Sequence, residues 1–168
     1  MPQPGSISGA GLVVDGVSMT VPRRTATPAI GRQGVKLLSQ VPLFAGLSHR
    51  HLRRIADVAE PVRFGEGRAI VEEGFRGGGF FVILEGSAKV IRKHRTVARL
   101  GPGDSFGELA IIDGGPRSAS VVSTSRVLTA RLTRAAFRKV LKREPDVSLR
   151  IMENLAARVR ELQGARAD

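Results

Sequence analysis

Short apolar segments separated by glycine dominate the middle of the chain. Eight of them occur between residues 61 and 132, namely PVRF, RAIVEE, FFVILE, SAKVIRK, TVARL, SFGEL, SASVVS and RVLTARL. Segments of this length, with turn residues every roughly 8–12 positions, are typical of antiparallel strands in a sandwich or barrel. The pattern predicts one small closed barrel.

Helical spacing precedes this region. Leu52, Ile55 and Val58 recur every three residues, and Ser48 just before them is a suitable N-cap. Proline does not continue a helix, so the pattern predicts a helix that begins after Ser48 and ends before Pro61.

Two further helices are predicted after the strands, and Pro145 separates them. In the second helix, apolar residues recur every three or four positions, as Val147, Ile151, Leu155, Val159 and Leu162. A stripe of this kind needs a covering surface. The barrel, a second copy of the helix, or both would supply it.

The N-terminal stretch differs from the rest of the chain. Residues 1–34 are rich in Gly, Pro, Ser and Thr and show little periodicity, which predicts a flexible tail. We therefore expect a folded unit over 35–164 and a short tail over 165–168. Within the folded unit we expect N-terminal helices, strands and C-terminal helices over residues 35–60, 61–132 and 133–164.

Composition excludes several classes of chemistry. The chain has no cysteine, which rules out disulfides, a thiolate nucleophile and a Cys-ligated metal. No apolar run is long enough to cross a bilayer, and no secretory signal is visible, so we expect a cytoplasmic protein. The formal net charge of +12 attracts anions such as nucleic acid, anionic lipid or a phosphorylated small molecule, but it also fits a basic solvated surface.

Basic residues cluster in two places. Arg134, Arg138 and Lys142 share one face of the first C-terminal helix. A second cluster lies on a predicted hairpin and comprises Lys89, Arg92, Lys93, Arg95 and Arg99. Each patch is either a solvated face or a docking surface for an acidic partner or a polynucleotide.

Other motifs are too incomplete to indicate a site. His49 and His51 imitate a metal-binding H-x-H pair but have only His94 as a further histidine, whereas a metal site needs three or four ligands. The segment GFRGGGF lacks the G-K-[ST] of a phosphate loop and predicts a hairpin turn. No G-x-S-x-G motif is present, so we expect no catalysis.

One segment combines charges with glycines in a distinctive way. In FGELAIIDGGPRSAS, Glu108 and Arg117 lie nine positions apart among glycines and small residues. Such a segment forms either a tight turn in which Glu108 and Arg117 pair with each other, or a cradle for a ligand with hydroxyls at one end and negative charge at the other.

Three segments together resemble the cyclic-nucleotide-binding domain, a family that includes catabolite activators, regulatory subunits of the cAMP-dependent kinase and cyclic-nucleotide-gated channels. They are VPLFAGLSHRHLRRIA, FVILEGSAKV and FGELAIIDGGPRSAS, and the last is similar to the family's phosphate-binding cassette (residues 106–119). The resemblance runs from about residue 41 to 162. It implies a mainly β fold, an antiparallel eight-stranded β-roll (a jelly-roll-like double-stranded β-helix) with an N-terminal helical element and two C-terminal helices.

The resemblance also implies a ligand and its contacts. The ligand would be cAMP, favoured over cGMP. Glu108 would accept a hydrogen bond from the ribose hydroxyl, and Arg117 would present a planar fork of donors to the cyclic phosphate. The positions that match the family's ligand contacts are Phe106, Gly107, Glu108, Leu109, Ala110, Arg117, Ser118 and Ala119. Candidates for covering the base are Arg150, Asn154 and Arg158.

The expected role is regulatory. No helix-turn-helix segment follows Gly164 in this sequence, so we expect a stand-alone sensor whose C-terminal helices transmit the binding event. The receiver would be an effector protein or a second copy bound through the C-terminal helix. A ligand-free scaffold of the same fold and a charge-driven nucleic-acid binder are the alternatives.

One position departs from the family pattern. The loop before the inner hairpin often reads E-G-x-x-G-D in the family, and Gly78 stands here in place of the aspartate. Because that aspartate contacts the cassette arginine in the family, we expect Arg117 to be less well oriented and the ligand to bind less tightly.

Overall fold

The computed structural model describes residues 30–165. Its helices are α1 Gly31–Leu38, α2 His49–Val58, α3 Glu108–Asp113, α4 Arg134–Arg143 and α5 Pro145–Gly164, with a 3-10 turn at Pro42–Phe44. Its strands are β1 Glu60–Phe64, β2 Ala69–Val71, β3 Phe80–Glu85, β4 Ala88–Arg92, β5 Arg95–Leu100, β6 Ser105–Phe106, β7 Ser120–Ser123 and β8 Val127–Leu132.

The eight strands form two four-stranded antiparallel sheets. One sheet has the order β1-β8-β3-β6 and the other β2-β7-β4-β5. This arrangement confirms the predicted mainly β fold, an antiparallel eight-stranded roll with flanking helices. It also places the strands before and after the cassette, β6 and β7, in different sheets, so the cassette connects the two sheets.

The core has two parts, and β3 contributes to both. Alternate residues of a strand point to opposite faces of its sheet. Phe80 and Val82 therefore pack with the helices, whereas Phe81 and Ile83 pack between the sheets. Full burial of each such side chain contributes about 1.5–3 kcal/mol, which explains why FFVILE is apolar at nearly every position.

The N-terminal helices are held by a cap and by the core. The Ser48 hydroxyl accepts a hydrogen bond from the His51 N–H at 3.3 Å, which confirms the predicted N-cap, and Leu52 and Ile55 are buried.

Helix α1 begins at Gly31, so the expected tail boundary at residue 34 is corrected to an earlier position. Val35, Leu37 and Leu38 of α1 pack into the core, which accounts for the earlier start. The rest of the predicted tail lies outside the described residues, as do residues 166–168.

The apolar stripe of α5 divides into two halves. Val147 and Ile151 are buried and Leu155 packs against them. Val159 and Leu162 are exposed. The protein's own core therefore covers only the first half of the stripe, and the second half has no cover among the described residues.

The glycine-rich segment at residues 74–79 is a connection between the two sheets. It joins β2 of one sheet to β3 of the other, so the predicted hairpin turn is wrong. Gly77, Gly78 and Gly79 all have positive φ angles, at 94°, 88° and 103°. This left-handed backbone is open to glycine at low cost and lets the chain cross between the sheets beside the cassette. Local pattern alone did not reveal which strands pair, because pairing depends on distant residues.

Candidate ligand-binding site

The cassette is a strand, a short helix and a glycine turn. Strand β6 ends at Phe106, Gly107 precedes α3 with a φ of 90°, and Gly114 follows α3 with a φ of 71°. A Cβ added at Gly107 would overlap Nη1 of Arg117 and lie 2.7 Å from the carbonyl oxygen of Gly79. Glycine is therefore required here both for the backbone conformation and for the room that Arg117 takes.

Arg117 is held by the glycine-rich connection. Its Nε donates to the Gly77 carbonyl at 3.1 Å, and its Nη2 donates to the carbonyls of Gly77 and Gly79. The Arg117 N–H donates to the Phe75 carbonyl, and the Arg117 carbonyl accepts from the Gly74 N–H, both at 2.8 Å. Main-chain carbonyls thus orient Arg117 in place of the family's aspartate, and the expected loss of orientation at Arg117 is not seen.

The guanidinium of Arg117 is buried and only partly satisfied. The residue is 6% exposed, and its Nη1 has no hydrogen-bond partner among the described residues. Burial lowers the pKa of Arg117 below its usual value, and the negative charge of Glu108 acts in the opposite direction. An arginine remains protonated at neutral pH, so the site presents a desolvated positive charge with a free donor.

Glu108 is engaged by the C-terminal helix. Its Oε1 accepts from Nη1 of Arg158 on α5 at 3.0 Å, with Glu108 20% and Arg158 55% exposed. Glu108 and Arg117 form no ion pair with each other, so the self-paired turn considered from the sequence is absent. An exposed pair of this kind is worth about 0–1 kcal/mol. It links the cassette to α5 without locking it there.

The other residues expected to contact a ligand have mixed surroundings. Phe106 is buried, and its ring stacks on Phe81 with centroids 5.2 Å apart. Leu109 and Ser118 are exposed, and Ala110 and Ala119 are half-buried. The Phe106 ring is therefore part of the roll's interior. The exposed and half-buried cassette positions remain predicted ligand contacts.

Three cavities adjoin the cassette, and two of them are lined by its charged residues. One of about 260 Å³ is lined by Arg117, by Gly77 and Gly78, and by β2 and the residues that follow it. The other, of about 300 Å³, is lined by Glu108 and Arg158 together with Phe80 and Gly103. The carboxylate and the guanidinium therefore face different cavities.

The three candidates for covering a base have different environments. The Asn154 amide donates to the Leu43 and Ala45 carbonyls, both at 3.0 Å, which ties α5 to the 3-10 turn. Arg150 pairs with Glu153 at 2.9 Å. Of the three, only Arg158 contacts the cassette.

The carbonyls that hold Arg117 and the contact of the β4–β5 hairpin with the cassette were not predicted from the sequence. The Nε of Arg92 donates to the Ser118 carbonyl at 3.2 Å, and the Lys93 N–H donates to Oε2 of Glu73 at 3.0 Å. The run of three glycines was the available signal for the carbonyls that hold Arg117. No residue pattern signals the contact between Arg92 and the Ser118 carbonyl, because every residue carries a carbonyl.

Metal ligands do not gather anywhere in residues 30–165, where no group of three or more His, Asp or Glu could hold an ion. His51 lies 3.8 Å from Glu144.

No helix in this part of the chain is long and apolar enough to span a membrane.

Comparison with known proteins is consistent with this geometry. The sequence pattern of the cyclic nucleotide-binding domain matches residues 61–144. The cAMP-dependent protein kinase regulatory subunit of Aspergillus fumigatus is 36% identical over 115 residues, which are 67% of this chain and 28% of that protein. The chain thus spans about a quarter of the length of this relative.

Solved structures share the architecture. The N-terminal domain of a transcriptional regulator from Streptomyces coelicolor superposes with a TM-score of 0.72 at 28% identity, over 77% of this chain and 93% of that one. The regulatory domain of Toxoplasma gondii PKA, crystallised with cAMP, gives a TM-score of 0.59 at 28% identity, over 64% and 43% of the two chains.

Proposed function

This chain belongs to the cyclic nucleotide-binding domain family, and we propose that it serves as a regulatory sensor that binds cAMP in preference to cGMP. The observation that carries the proposal is Arg117, a buried guanidinium with an unpartnered Nη1 in the cassette. A guanidinium in this state favours an anionic oxygen ligand.

Each end of the nucleotide has a partner of suitable chemistry. Arg117 would donate to the cyclic phosphate, and the Glu108 carboxylate would accept from the ribose hydroxyl. Leu109, Ala110 and the residues at 118 and 119 would line the same ligand. Ser118 suits either nucleotide, and the preference for cAMP is supported by the cAMP-bound relative from Toxoplasma gondii.

Ligand binding would be transmitted through Arg158. Glu108 and Arg117 line separate cavities, and Oε1 of Glu108 accepts a hydrogen bond from Arg158. A nucleotide that draws Glu108 toward Arg117 would break this ion pair and release the second half of α5. That half carries the exposed Val159 and Leu162.

The released helix would then bind an effector protein or a second copy of the chain. The proposed role is regulation rather than catalysis. The proposed location is the cytoplasm, which the absence of cysteine favours.

Calorimetric titration of the whole chain with cAMP and with cGMP tests this proposal. We expect saturable binding of both with the lower dissociation constant for cAMP. Equal or tighter binding of cGMP would reject the assigned preference. No binding of either nucleotide at millimolar concentration would reject the sensor function and leave a ligand-free scaffold as the explanation.

A further inference from the structure

Helices α2 and α4 lie side by side over one core. Leu52 and Ile55 of α2 and Phe137 of α4 are buried in the same apolar cluster. Glu144, directly after α4, pairs with Nε of Arg54 on α2 at 2.7 Å. Because both helices turn their apolar side towards this core, their opposite sides face the solvent together and form one surface.

The exposed side of these two helices is basic. Helix α4 contains no acidic residue, and Asp57 is the only one in α2. Six exposed cations form what we call the basic helical face, namely Arg50 and Arg53 of α2 and Arg138, Lys139, Lys142 and Arg143 of α4. None of the six forms an ion pair within residues 30–165.

Like charges in this face lie at the spacing that brings side chains together on a helix. Arg138 and Lys142 are four residues apart, as are Lys139 and Arg143. Pairs of like charge at this spacing destabilise a helix, and α4 has no carboxylate to offset them. An anionic partner relieves this repulsion.

Two exposed aliphatic side chains border the basic helical face. The Ser148 hydroxyl donates to the Leu141 carbonyl at 2.9 Å, so the first half of α5 lies against α4. Leu149 and Met152, next to this contact, are 55% and 59% exposed. A surface that combines several cations with exposed aliphatic side chains is typical of segments that lie at a membrane interface.

We propose that the basic helical face, with Leu149 and Met152 at its border, binds the surface of an anionic phospholipid bilayer. The cations contact the phosphates of the headgroups, and the two aliphatic side chains enter the headgroup region. A bilayer surface is continuous, so it contacts three helices at once without matching the position of each charge. The face does not include the cassette, and the inference does not depend on the proposed nucleotide site.

A polynucleotide fits this surface less well. It presents phosphates, but its apolar surface is the faces of its bases, which proteins contact by stacking aromatic side chains. The chain has no Trp and no Tyr, and Phe137, the one phenylalanine of α2, α4 and α5, is buried. Leu149 and Met152 therefore favour a bilayer.

Co-sedimentation of the whole chain with vesicles provides the first test. Phosphatidylcholine vesicles that contain about one-third phosphatidylglycerol should bind the chain, and vesicles of phosphatidylcholine alone should not, because the attraction needs anionic headgroups. Raising the salt concentration from about 0.05 M to about 0.5 M should weaken binding at least tenfold, since salt screens the attraction. Equal binding to both kinds of vesicle, or binding to neither, would overturn the inference.

Two double variants locate the contact. Arg138→Gln with Lys142→Gln should lower the partition coefficient at least tenfold, since each basic residue near an anionic bilayer contributes about fivefold. Arg95→Gln with Arg99→Gln removes the same charge from β5, in the other sheet, and should change the coefficient less than about twofold. All four residues are exposed, so both variants should fold. Equal losses would assign the binding to net charge and overturn the inference.

Other polyanions complete the test. Duplex DNA and poly-glutamate, at the same concentration of charge as the anionic vesicles, should bind the chain less tightly. Tighter binding of either, lost when Arg138 and Lys142 are both replaced by Gln, would assign the face to a nucleic acid or an acidic protein and overturn the inference.

The cAMP affinity of the Arg138→Gln, Lys142→Gln variant, measured without vesicles, separates the two proposals. It should equal that of the unmodified chain, because neither residue belongs to the cassette. If cAMP binds but anionic vesicles do not, the bilayer contact is wrong and the sensor function stands. If vesicles bind through this face but no cyclic nucleotide binds, the bilayer contact stands and the sensor function is wrong.

Discussion

At the scale of single residues, Arg117 and its glycine neighbours define the site. Arg117 fills the space that a side chain at Gly107 would take, and the carbonyls of Gly77 and Gly79 fix its orientation. The sequence predicted the importance of Glu108 and Arg117 from their chemical types. Their partners were not predictable, because a carbonyl acceptor and an arginine one helix away leave no mark in the local pattern.

Substitution of Gly107 tests whether the room that this glycine leaves for Arg117 is needed for ligand binding. Gly107→Ala should weaken cAMP binding at least tenfold, because the new methyl group displaces Arg117. Gly67→Ala is the matched control, since Gly67 also has a positive φ, at 72°, but nothing within 4 Å of the added Cβ.

Gly67→Ala should lose about 1–2 kcal/mol of stability from backbone strain, and Gly107→Ala should lose more, because its Cβ also overlaps Arg117 and the Gly79 carbonyl; denaturant unfolding measures both losses. Cyclic AMP affinity should fall only in Gly107→Ala. Equal affinities in the two variants would mean that Gly107 does not position Arg117 for the ligand.

At the scale of elements, the strands were more predictable than their connections. Glycine punctuation and apolar runs marked all eight strands, because the alternation of side chains along a strand and its flanking turn residues are local properties of the sequence. The segment at residues 74–79 predicts a hairpin turn because it is rich in glycine and lacks the G-K-[ST] of a phosphate loop. The structure places the two flanking strands in separate sheets, a choice decided by pairing with β7 and β8.

In helix α5, the sequence pattern likewise did not distinguish the buried from the exposed apolar residues. Stability measurements can test this difference. Val147 is 0% exposed and Val159 is 52% exposed, although both belong to one apolar stripe. Val147→Ala should cost about 2–3 kcal/mol in the free energy of unfolding, whereas Val159→Ala should cost less than about 0.5 kcal/mol. Chemical denaturation measures both, and similar losses would contradict the assignment of only the first half of the stripe to the core.

The contact between α5 and the cassette carries the proposed transmission. Arg158→Gln removes the ion pair with Glu108, a contact that the nucleotide is expected to break. Removing an interaction present only in the free state should tighten cAMP binding, by up to about fivefold for a pair worth 0–1 kcal/mol.

Hydrogen exchange in the second half of α5 of free Arg158→Gln should approach that of the cAMP-bound unmodified chain. Arg54→Gln, which breaks the ion pair between α2 and Glu144, is the control and should leave cAMP affinity unchanged. Weaker binding in Arg158→Gln would show that Arg158 contacts the nucleotide instead of releasing Glu108.

At the scale of the whole molecule, the formal net charge of +12 raises the question of which anion the protein binds. A nucleic acid would contact several cations at once, and the basic residues of α4 and of the β4–β5 hairpin are spread over different parts of the fold. A cyclic nucleotide would use one buried arginine. The two cases differ in their dependence on salt.

The dependence of affinity on salt concentration distinguishes binding of a cyclic nucleotide from binding of a nucleic acid. In chloride salts, the logarithm of the cAMP association constant should fall with the logarithm of salt concentration with a slope no steeper than about −1, because one phosphate charge is neutralised. Duplex DNA of arbitrary sequence should bind weakly or with a much steeper slope. Tight DNA binding that persists at physiological salt would favour the nucleic-acid alternative.

The most direct test of the account is the dissociation constant of cAMP for Arg117→Ala compared with Arg138→Ala, each measured by calorimetry in chloride buffer. The account predicts a loss of at least about tenfold for Arg117→Ala, since charged hydrogen bonds contribute about 1.5–3 kcal/mol, and no change for Arg138→Ala. Unchanged affinity in a folded Arg117→Ala variant would contradict the assignment of the cassette as the nucleotide site.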